Sequence, residues 1–318
     1  MIQITEEFRT RVFEAMISGA DEAKQQGTTN RSYATKNGIN PSILSRIISG
    51  ERYMLNPDGS QKLNTSGEPI HILSESKLIE IGHNLSVTLS ARKWVAVRNE
   101  VFGIVEADMD YCKVGSEIRS IADDCGIGKT FASQYLCARQ SNSFHVDCKQ
   151  ADNPTMLVKI LAKAIGLDSS GGLSKIKAKV KSALSSVITP LVVLDDIGYV
   201  DNKCIRTVLE LIDATEGKCG WYLIGDDSLQ EKIERSINGK QVGYRALFSR
   251  LGKKYTRVVP NGKDAKYAFY RNLLRGVLQA NYTGSADVED LVNRCLASDH
   301  ADVIGDLRRV RGAVKVFS

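Results

Sequence analysis

A glycine-rich segment, Cys125-Gly-Ile-Gly-Lys-Thr130, narrows the possible folds of this chain more than any other feature. It follows the short apolar run Ile118 to Ala122 and leads at once into an apolar helical stretch that begins at Phe131. Glycines allow backbone N–H groups to approach a phosphate, and the helix that follows points its N-terminus at negative charge. In this arrangement Lys129 can reach the β- and γ-phosphates of a nucleotide, and Thr130 can hold Mg²⁺. The predicted nucleotide ligands in the segment are Gly126, Ile127, Gly128, Lys129, Thr130 and Phe131.

The match to the usual phosphate-loop pattern, G-x-x-x-x-G-K-[ST], is incomplete. Asp123 stands where the pattern has its first glycine, so only the second half agrees. A carboxylate at that place would repel phosphate if it pointed into the loop. A plain glycine-rich turn is therefore the alternative, although the strand before the segment and the helix after it favour nucleotide binding.

A second signal is the apolar run Leu191 to Leu194, which ends in Asp195 and Asp196, 66 residues after Lys129. A carboxylate at the end of a strand can orient Mg²⁺, and its neighbour can position the water that attacks the γ-phosphate. We therefore assign Asp195, together with Thr130, to Mg²⁺ and Asp196 to the water. The alternative is a pair of aspartates that only caps a helix after a buried strand.

Short apolar runs alternate with helical patterns from about Glu117 onward, and the chain after Pro260 has a helical pattern to its end. Such alternation predicts a mostly parallel sheet covered on both faces by helices. The predicted strands are Ile118 to Ala122, Ser143 to Val146, Leu191 to Leu194, Trp221 to Ile224 and Tyr255 to Val259.

The order of these motifs resembles that of AAA+ ATPases, which bind ATP with Mg²⁺. In that family the strand after the acidic pair delivers a polar sensor to the γ-phosphate, and the resemblance places this role at Asp226, for which a plain turn is the alternative. Most members have Glu where this chain has Asp196; because Asp is one methylene shorter, the resemblance implies slow hydrolysis. It also implies an α/β fold in which an AAA+ P-loop core with a parallel sheet and a helical lid follows an all-α helix-turn-helix module. The implied domains are 1–85 for that module with a linker, 86–260 for the nucleotide-binding core and 261–318 for the lid.

Two further segments are similar to a narrower group of AAA+ ATPases, the transposition regulators MuB, TnsC and IstB, and most similar to MuB of phage Mu. They are Tyr244-Arg-Ala-Leu-Phe-Ser-Arg250, with Leu-Gly-Lys-Lys-Tyr-Thr-Arg257 directly after it, and Gly305-Asp-Leu-Arg308. The resemblance runs from about Glu117 to Val314. It implies that Arg250, or next Arg245, reaches the γ-phosphate of a neighbouring subunit, so the active unit is an oligomer. It also implies that Arg308 senses the nucleotide in its own subunit; contact with DNA phosphates or solvated charge is the alternative for these arginines.

The segment Asn30 to Gly50 predicts a helix-turn-helix. Asn30 can cap a first helix, and Gly38 can adopt the positive φ of a tight turn. Asn40 can cap a second helix, with Pro41 at its first position. The outward residues of that helix, which would contact DNA, are Ser42, Ser45 and Arg46. The alternative is a three-helix module that docks on a protein.

Positive charge is concentrated in the last quarter of the chain, where Ser236 to Ser318 carries 15 Lys and Arg against 7 Asp and Glu. A local excess of this kind favours a polyanionic partner. Upstream, a helix with an apolar stripe precedes the acidic strand and carries several lysines, and Lys149 follows the second strand, where loops of related filaments face DNA. The predicted phosphate contacts are Lys149, Lys175, Lys177, Lys179 and Lys181; solvated charge is their alternative, and such contacts confer no sequence preference.

Composition argues against membrane and secreted classes. The chain has no run of 18 apolar residues and no apolar signal-peptide core at its N-terminus. Its seven cysteines are odd in number and scattered without a CxxC pair, and histidine is too sparse along the chain to complete a zinc site. We therefore expect a cytoplasmic protein with free thiols and no membrane partner.

Together these features favour an ATP-dependent regulator of transposition. ATP would join subunits into a ring or helical filament on duplex DNA, and the assembly would select the target and activate a transposase. A helicase-loading or replication-initiating AAA+ ATPase shares every nucleotide motif and is the first alternative. A DNA-binding scaffold that hydrolyses ATP poorly is the second, and Asp at positions 123, 196 and 226 favours it mildly.

Overall fold

The structure, a computed structural model, describes residues 4–25, 27–85, 87, 94–298 and 304–317. The chain divides into two compact units, one of Met1–Lys93 with Ala162–Ser170 and the other of Trp94–Leu161 with Gly171–Ser318. Residue 86, where the second domain is predicted to begin, lies outside the described residues. The predicted lid is part of the second unit rather than a unit of its own.

Within the described residues before Trp94, four helices surround one apolar core. The helices are α1 (Glu6–Gln25), α2 (Asn30–Lys36), α3 (Pro41–Ile48) and α4 (Glu75–Asn84). Each contributes a side chain that solvent does not reach: Met16, Ala34, Leu44 and Ile81. The apolar periodicity of each helix therefore places one stripe inward.

The turn between α2 and α3 forms where the sequence predicts it, because Gly38 has a φ of 68°, which residues with a Cβ rarely adopt. Asn40 caps α3 by accepting the N–H of Ser42 at 2.9 Å. The predicted cap of α2 is wrong by one residue, since Thr29 accepts the N–H of Ser32 and Asn30 is already helical. A cap needs extended backbone, which Thr29 has and a helical residue does not.

The polar stretch between α3 and α4 forms two successive antiparallel turns. Bridges join Leu55 to Gln61 across the NPDG sequence and Leu63 to Pro69 across NTSGEP. These bridges form a small antiparallel meander within the first unit.

The second unit alternates strands and helices. Its strands are β1 (Ile118–Ala122), β2 (Ser143–Asp147), β3 (Leu191–Asp195) and β4 (Gly220–Gly225). Its helices are α5 (Glu100–Gly115), α6 (Lys129–Cys137), α7 (Pro154–Ile165), whose last turn is assigned to the first unit, α8 (Leu173–Ser186), α9 (Asn202–Ala214), α10 (Asp227–Asn238), α11 (Tyr244–Arg250), α12 (Lys263–Asn281), α13 (Val288–Leu296) and α14 (Leu307–Phe317). Four of the five predicted strands are present, and the α/β fold class is confirmed.

The four strands are parallel and lie in the order β1-β4-β3-β2. Every residue of β3 and β4 is buried, which requires cover on both faces of the sheet. Because parallel strands end at the same edge of a sheet, the loops after all four strands gather there.

The predicted fifth strand, Tyr255 to Val259, is wrong. Only one parallel bridge forms, between Ile121 and Thr256. Beyond it, the backbone N–H groups of Val258 and Val259 both donate to the carboxylate of Asp123. Consecutive N–H groups of a strand point to opposite sides, so both can donate to one carboxylate only because the chain here is not a strand. Since β1 ends at Ala122, the side chain of Asp123 accepts both hydrogen bonds.

One apolar core joins the sheet to the C-terminal helices. Ile121 and Ile224 of the sheet belong to the same cluster as Leu274 of α12, Val292 of α13 and Val310 of α14. Of the helices in the described ranges, none combines the length and the apolar character that crossing a membrane requires. None of the seven cysteines, all within the described residues, forms a disulfide.

Candidate nucleotide site

The glycine-rich segment forms a loop between β1 and α6. Gly126 and Gly128 have φ values of 73° and 102°, which only glycine adopts without strain, and Ile127 between them is buried. No side chain caps the N-terminus of α6, so its first N–H groups are directed at the loop. This is the geometry in which backbone donors and a helix N-terminus hold a phosphate.

Lys129 is the first residue of α6, and its ammonium group folds back over the loop. Its Nζ donates to the carbonyl oxygens of Asp123 at 2.7 Å and Asp124 at 2.6 Å. Burial lowers the pKa of Lys129, which is 8% exposed. Thr130 and Phe131 follow on the exposed side of the helix.

Asp123 does not face the loop. Solvent does not reach it, and its carboxylate accepts the N–H groups of Val258 and Val259, while Asp124 N donates to its second oxygen at 2.8 Å. The repulsion between Asp123 and phosphate that the sequence allows is therefore absent from this arrangement. The residue instead attaches the segment after α11 to the start of the loop.

The acidic pair lies at the end of β3. Asp195 is 2% exposed, and one of its oxygens, Oδ1, is buried with no hydrogen-bond partner among the described residues. A buried carboxylate oxygen without a donor fits a cation, and Mg²⁺ bound through one or two protein oxygens and the substrate phosphates is usual. The described residues contain no group of three or more His, Cys, Asp or Glu that could hold a metal ion by themselves. The unpartnered oxygen of Asp195 fits Mg²⁺ delivered with a nucleotide, and the assignment of Asp195 and Thr130 to that ion stays a prediction.

Asp196 follows β3 in a left-handed conformation with a φ of 55°. Its Oδ2 lies 2.7 Å from Nζ of Lys149, and that ammonium group also lies 4.6 Å from the ring centroid of Tyr199. The hydrogen bond to Asp196 raises the pKa of Lys149. Lys149 reaches the acid pair because β2 and β3 are neighbours and the short turn after β2 ends beside it. Its contact with DNA stays a prediction.

Asp226 follows β4, and each of its two carboxylate oxygens accepts hydrogen bonds. One oxygen accepts the N–H of Ser228 at 3.0 Å and caps α10. The other accepts from Cys125 in the loop and from Tyr199 after β3, both at 3.3 Å. Asp226 thus serves as the turn residue that the sequence allows and also lies between the phosphate loop and the acid pair.

The C-terminal helices contact the loop directly. Leu307 N donates to the carbonyl of Gly126 at 3.1 Å, and any side chain at Gly126 would overlap the carboxylate of Asp306. Arg308, the predicted nucleotide sensor, is 73% exposed and pairs with Asp306 at 3.3 Å. Arg308 therefore lies beside the loop, and its guanidinium group forms an ion pair with Asp306.

Helix α12 supplies two contacts that the sequence did not predict. Asp124 Oδ2 accepts from Lys266 at 2.6 Å and from the hydroxyl of Tyr270 at 2.8 Å. Burial alone would raise the pKa of Asp124, but these two hydrogen bonds lower it below its usual value. No local pattern could have revealed this pairing, because more than 130 residues separate its partners.

Arg250 lies away from the phosphate loop of its own chain. It pairs with Asp213 of α9 at 2.7 Å and lines a cavity of about 320 Å³ beside Glu117 to Ser120, at the start of β1. The loop follows the other end of β1. Arg250 therefore takes no part in the site of its own subunit.

The predicted DNA contacts lie in two places. On α3, Ser42 and Ser45 are exposed, while Arg46 is half-buried and pairs with Glu51 at 2.8 Å. On α8, Lys175 and Lys179 lie on one side of the buried stripe, and Lys177 and Lys181 on the other, because a step of two residues turns a helix by about 200°. One flat phosphate surface does not reach all four lysines, and Lys177 already pairs with Glu210 at 2.6 Å.

Comparison with known proteins agrees with this geometry. Residues 124–233, from the phosphate loop into α10, match the AAA domain family. The solved structure of the Aeropyrum pernix Orc1 protein in complex with DNA is similar at a TM-score of 0.51 and 18% identity, over 70% of this chain and 60% of that one. No curated protein matches the chain. Residues 124–233 thus match an AAA domain and the fold is similar to that of Orc1, and the resemblance to MuB, TnsC and IstB stays a prediction.

Proposed function

We propose that this chain is an ATPase that binds ATP with Mg²⁺ and assembles on duplex DNA. The observation that carries the proposal is the convergence of three groups at one edge of the sheet: the glycine loop with Lys129 after β1, Asp195 and Asp196 after β3, and Asp226 after β4. Each group comes from a different strand, and a phosphate, a cation and a water need this combination.

Each residue has a distinct task in the proposed site. The backbone of Gly126 to Gly128 and the ammonium of Lys129 hold the phosphates, once that ammonium leaves the carbonyl groups it now bonds. Asp195 and Thr130 hold Mg²⁺, which neutralises charge on the phosphates. Asp196 accepts a hydrogen bond from the attacking water. Arg308 meets the nucleotide from the lid, and Arg250 meets the nucleotide of a neighbouring subunit.

Binding to duplex DNA rests on weaker support. The positive excess of the last quarter favours a polyanion, and Orc1, which has a similar fold, was solved with DNA. The role in transposition, with a transposase as partner, rests on the resemblance of the segments around Arg250 and Arg308. A replication-initiating role shares the same nucleotide motifs, and the likeness to Orc1 concerns the fold alone.

A scaffold that hydrolyses ATP slowly is the second candidate. The ion pair between Lys149 and Asp196 favours it, because a carboxylate bound to an ammonium group is less available to a water molecule. A turnover assay with and without duplex DNA separates the two candidates.

The test of the site is a calorimetric titration of ATP with Mg²⁺ into the wild type and Lys129→Ala. Loss of the charged hydrogen bonds to phosphate should lower affinity by about tenfold or more, since each is worth roughly 1.5–3 kcal/mol. The exposed Lys218→Ala serves as the matched control and should bind as the wild type does. Equal affinity in all three proteins would refute the site.

The finer role has its own test. Stimulation of strand transfer by a transposase encoded beside this chain, in the presence of ATP and absent with Lys129→Ala, is the expected result. Stimulation of helicase loading instead would place the chain with replication initiators.

A further inference from the structure

A histidine lies beside the predicted Mg²⁺ ligand. His145 is on β2, the neighbour of β3, and its Nε2 lies 3.4 Å from Oδ2 of Asp195. The side chains of His145 and Asp195 are 13% and 3% exposed. Both Nε2 of His145 and Oδ1 of Asp195 are buried without a hydrogen-bond partner among the described residues. The two unsatisfied groups are therefore on neighbouring side chains inside the candidate site.

A hydrogen bond between the two side chains would give Nε2 of His145 the partner that it lacks. A buried polar atom without a partner is unfavourable, so His145 Nε2 needs an acceptor, and Asp195 is the acid beside it. A small rotation of the imidazole would complete a hydrogen bond from Nε2–H to Oδ2. That bond would fix the plane of the carboxylate and leave Oδ1 as the oxygen available to a cation.

We infer that His145 is a positioning residue for the Mg²⁺ site: it donates to Oδ2 of Asp195 and thereby directs Oδ1 at the ion. The inference rests on the proposed nucleotide site. His145 is not itself expected to bind the ion, because Mg²⁺ prefers oxygen ligands and imidazole suits transition metals. Partners that orient a metal ligand in this way typically change metal affinity by about 10- to 100-fold when they are removed.

Three substitutions separate positioning from packing. The amide nitrogen of Gln in His145→Gln can occupy roughly the place of imidazole Nε2, so it keeps the donor. The shorter side chain of His145→Asn cannot reach that place, although it is equally polar. His145→Leu removes the donor and keeps an apolar volume between the strands.

The measurement is the affinity of a fluorescent ATP analogue, first in EDTA and then as Mg²⁺ is added. All variants should bind the metal-free nucleotide as the wild type does, because the phosphate loop is unchanged. The Mg²⁺ concentration at half-effect should rise about tenfold for His145→Asn and His145→Leu and stay near the wild-type value for His145→Gln. Titration of Mn²⁺ into the ADP complex, followed by electron paramagnetic resonance, should give the same order of affinities without any turnover.

Different results would contradict the positioning role of His145 and the proposed nucleotide site on which it rests. Equal half-effect concentrations in all four proteins would overturn the positioning role, and so would a Gln variant as weak as Asn. A lower melting temperature for His145→Leu with an unchanged Mg²⁺ response would show a packing role only. Failure of the proposed nucleotide site would appear in the wild type itself, as an absence of nucleotide binding or as binding that Lys129→Ala does not weaken.

Discussion

Asp196 carries the proposed hydrolytic step, and its environment bears on the rate. The carboxylate is the natural acceptor for a water at the γ-phosphate, but Lys149 holds one of its oxygens at 2.7 Å. Asp is also shorter than the Glu that AAA+ ATPases usually have at this place. Both features imply slow turnover, because the ammonium group of Lys149 competes with the water for the carboxylate and because the shorter side chain extends less far toward the γ-phosphate.

Asp196→Asn should lower turnover by about 100-fold and leave ATP affinity nearly unchanged. The amide keeps the size of the side chain but is a poorer acceptor for the water, and positioned bases contribute roughly 10²–10⁴-fold. Single-turnover hydrolysis and a separate binding titration measure the two effects. Hydrolysis at the wild-type rate would remove Asp196 from the mechanism.

Lys149→Met should raise turnover in the absence of DNA by roughly two- to fivefold. The expected size is small because Lys149 is 47% exposed, and ion pairs with an exposed partner are worth roughly 0.2–1 kcal/mol. Methionine keeps the length that packs on Tyr199 and removes only the charge. The control is Lys149→Met in the Asp196→Asn background, where it should change nothing; a gain there would mean that Lys149 acts on another group.

At the scale of elements, Asp123 determines how the chain leaves the sheet. Its buried carboxylate replaces a fifth strand as the partner of Val258 and Val259, and Arg257 lies 3.8 Å from its second oxygen. The segment after α11, which follows Arg250, is thereby attached to the start of the phosphate loop. A movement of the phosphate loop would be transmitted to that segment through the side chain of Asp123.

Asp123→Ala should lower the free energy of unfolding by about 3 kcal/mol, because two buried N–H groups would lose their acceptor. Asp123→Asn keeps one acceptor oxygen and should cost less. Urea unfolding of both variants, beside the exposed control Asp152→Ala, measures the difference. If Asp123→Ala is as stable as the control, the carboxylate does not hold the segment.

At the scale of the whole molecule, the proposed assembly requires Arg250 to leave the partner that it has in the isolated chain. Its pairing with Asp213, which is 46% exposed, is weak enough to exchange for a phosphate. Joined subunits would present their basic surfaces repeatedly along one DNA duplex. Recognition of individual bases should contribute little to the free energy of DNA binding. Arg46 is the only cation among the predicted contacts on α3, and it is paired with Glu51.

DNA binding should therefore be cooperative, require ATP, differ little between unrelated duplexes and weaken steeply as salt rises, since phosphate contacts release counterions. Electron microscopy and binding titrations should show rings or filaments for the wild type with ATP. They should be absent with ADP and for Arg250→Ala, while the exposed control Arg294→Ala should assemble normally. Equal binding under all these conditions would contradict assembly through Arg250, and tight binding to one duplex alone would indicate a sequence-specific initiator.

The sequence alone determined the features that depend on local periodicity. Four strands, the α/β fold class, the position of the glycine loop and the turn at Gly38 all follow from patterns within a few residues, because burial of an apolar face and a positive φ are local demands. The order of the motifs was enough to predict an AAA+ core.

Only the tertiary structure decided which distant side chains meet. Asp123 turns away from the loop to bind Val258 and Val259, and Lys149 reaches Asp196 because β2 and β3 are neighbours. The pairing of His145 with Asp195 depends on the same strand order. A charged or polar residue shows in the sequence only that it needs a partner; the sheet order and the ends of the strands select that partner, since hydrogen bonds and ion pairs form only at short range.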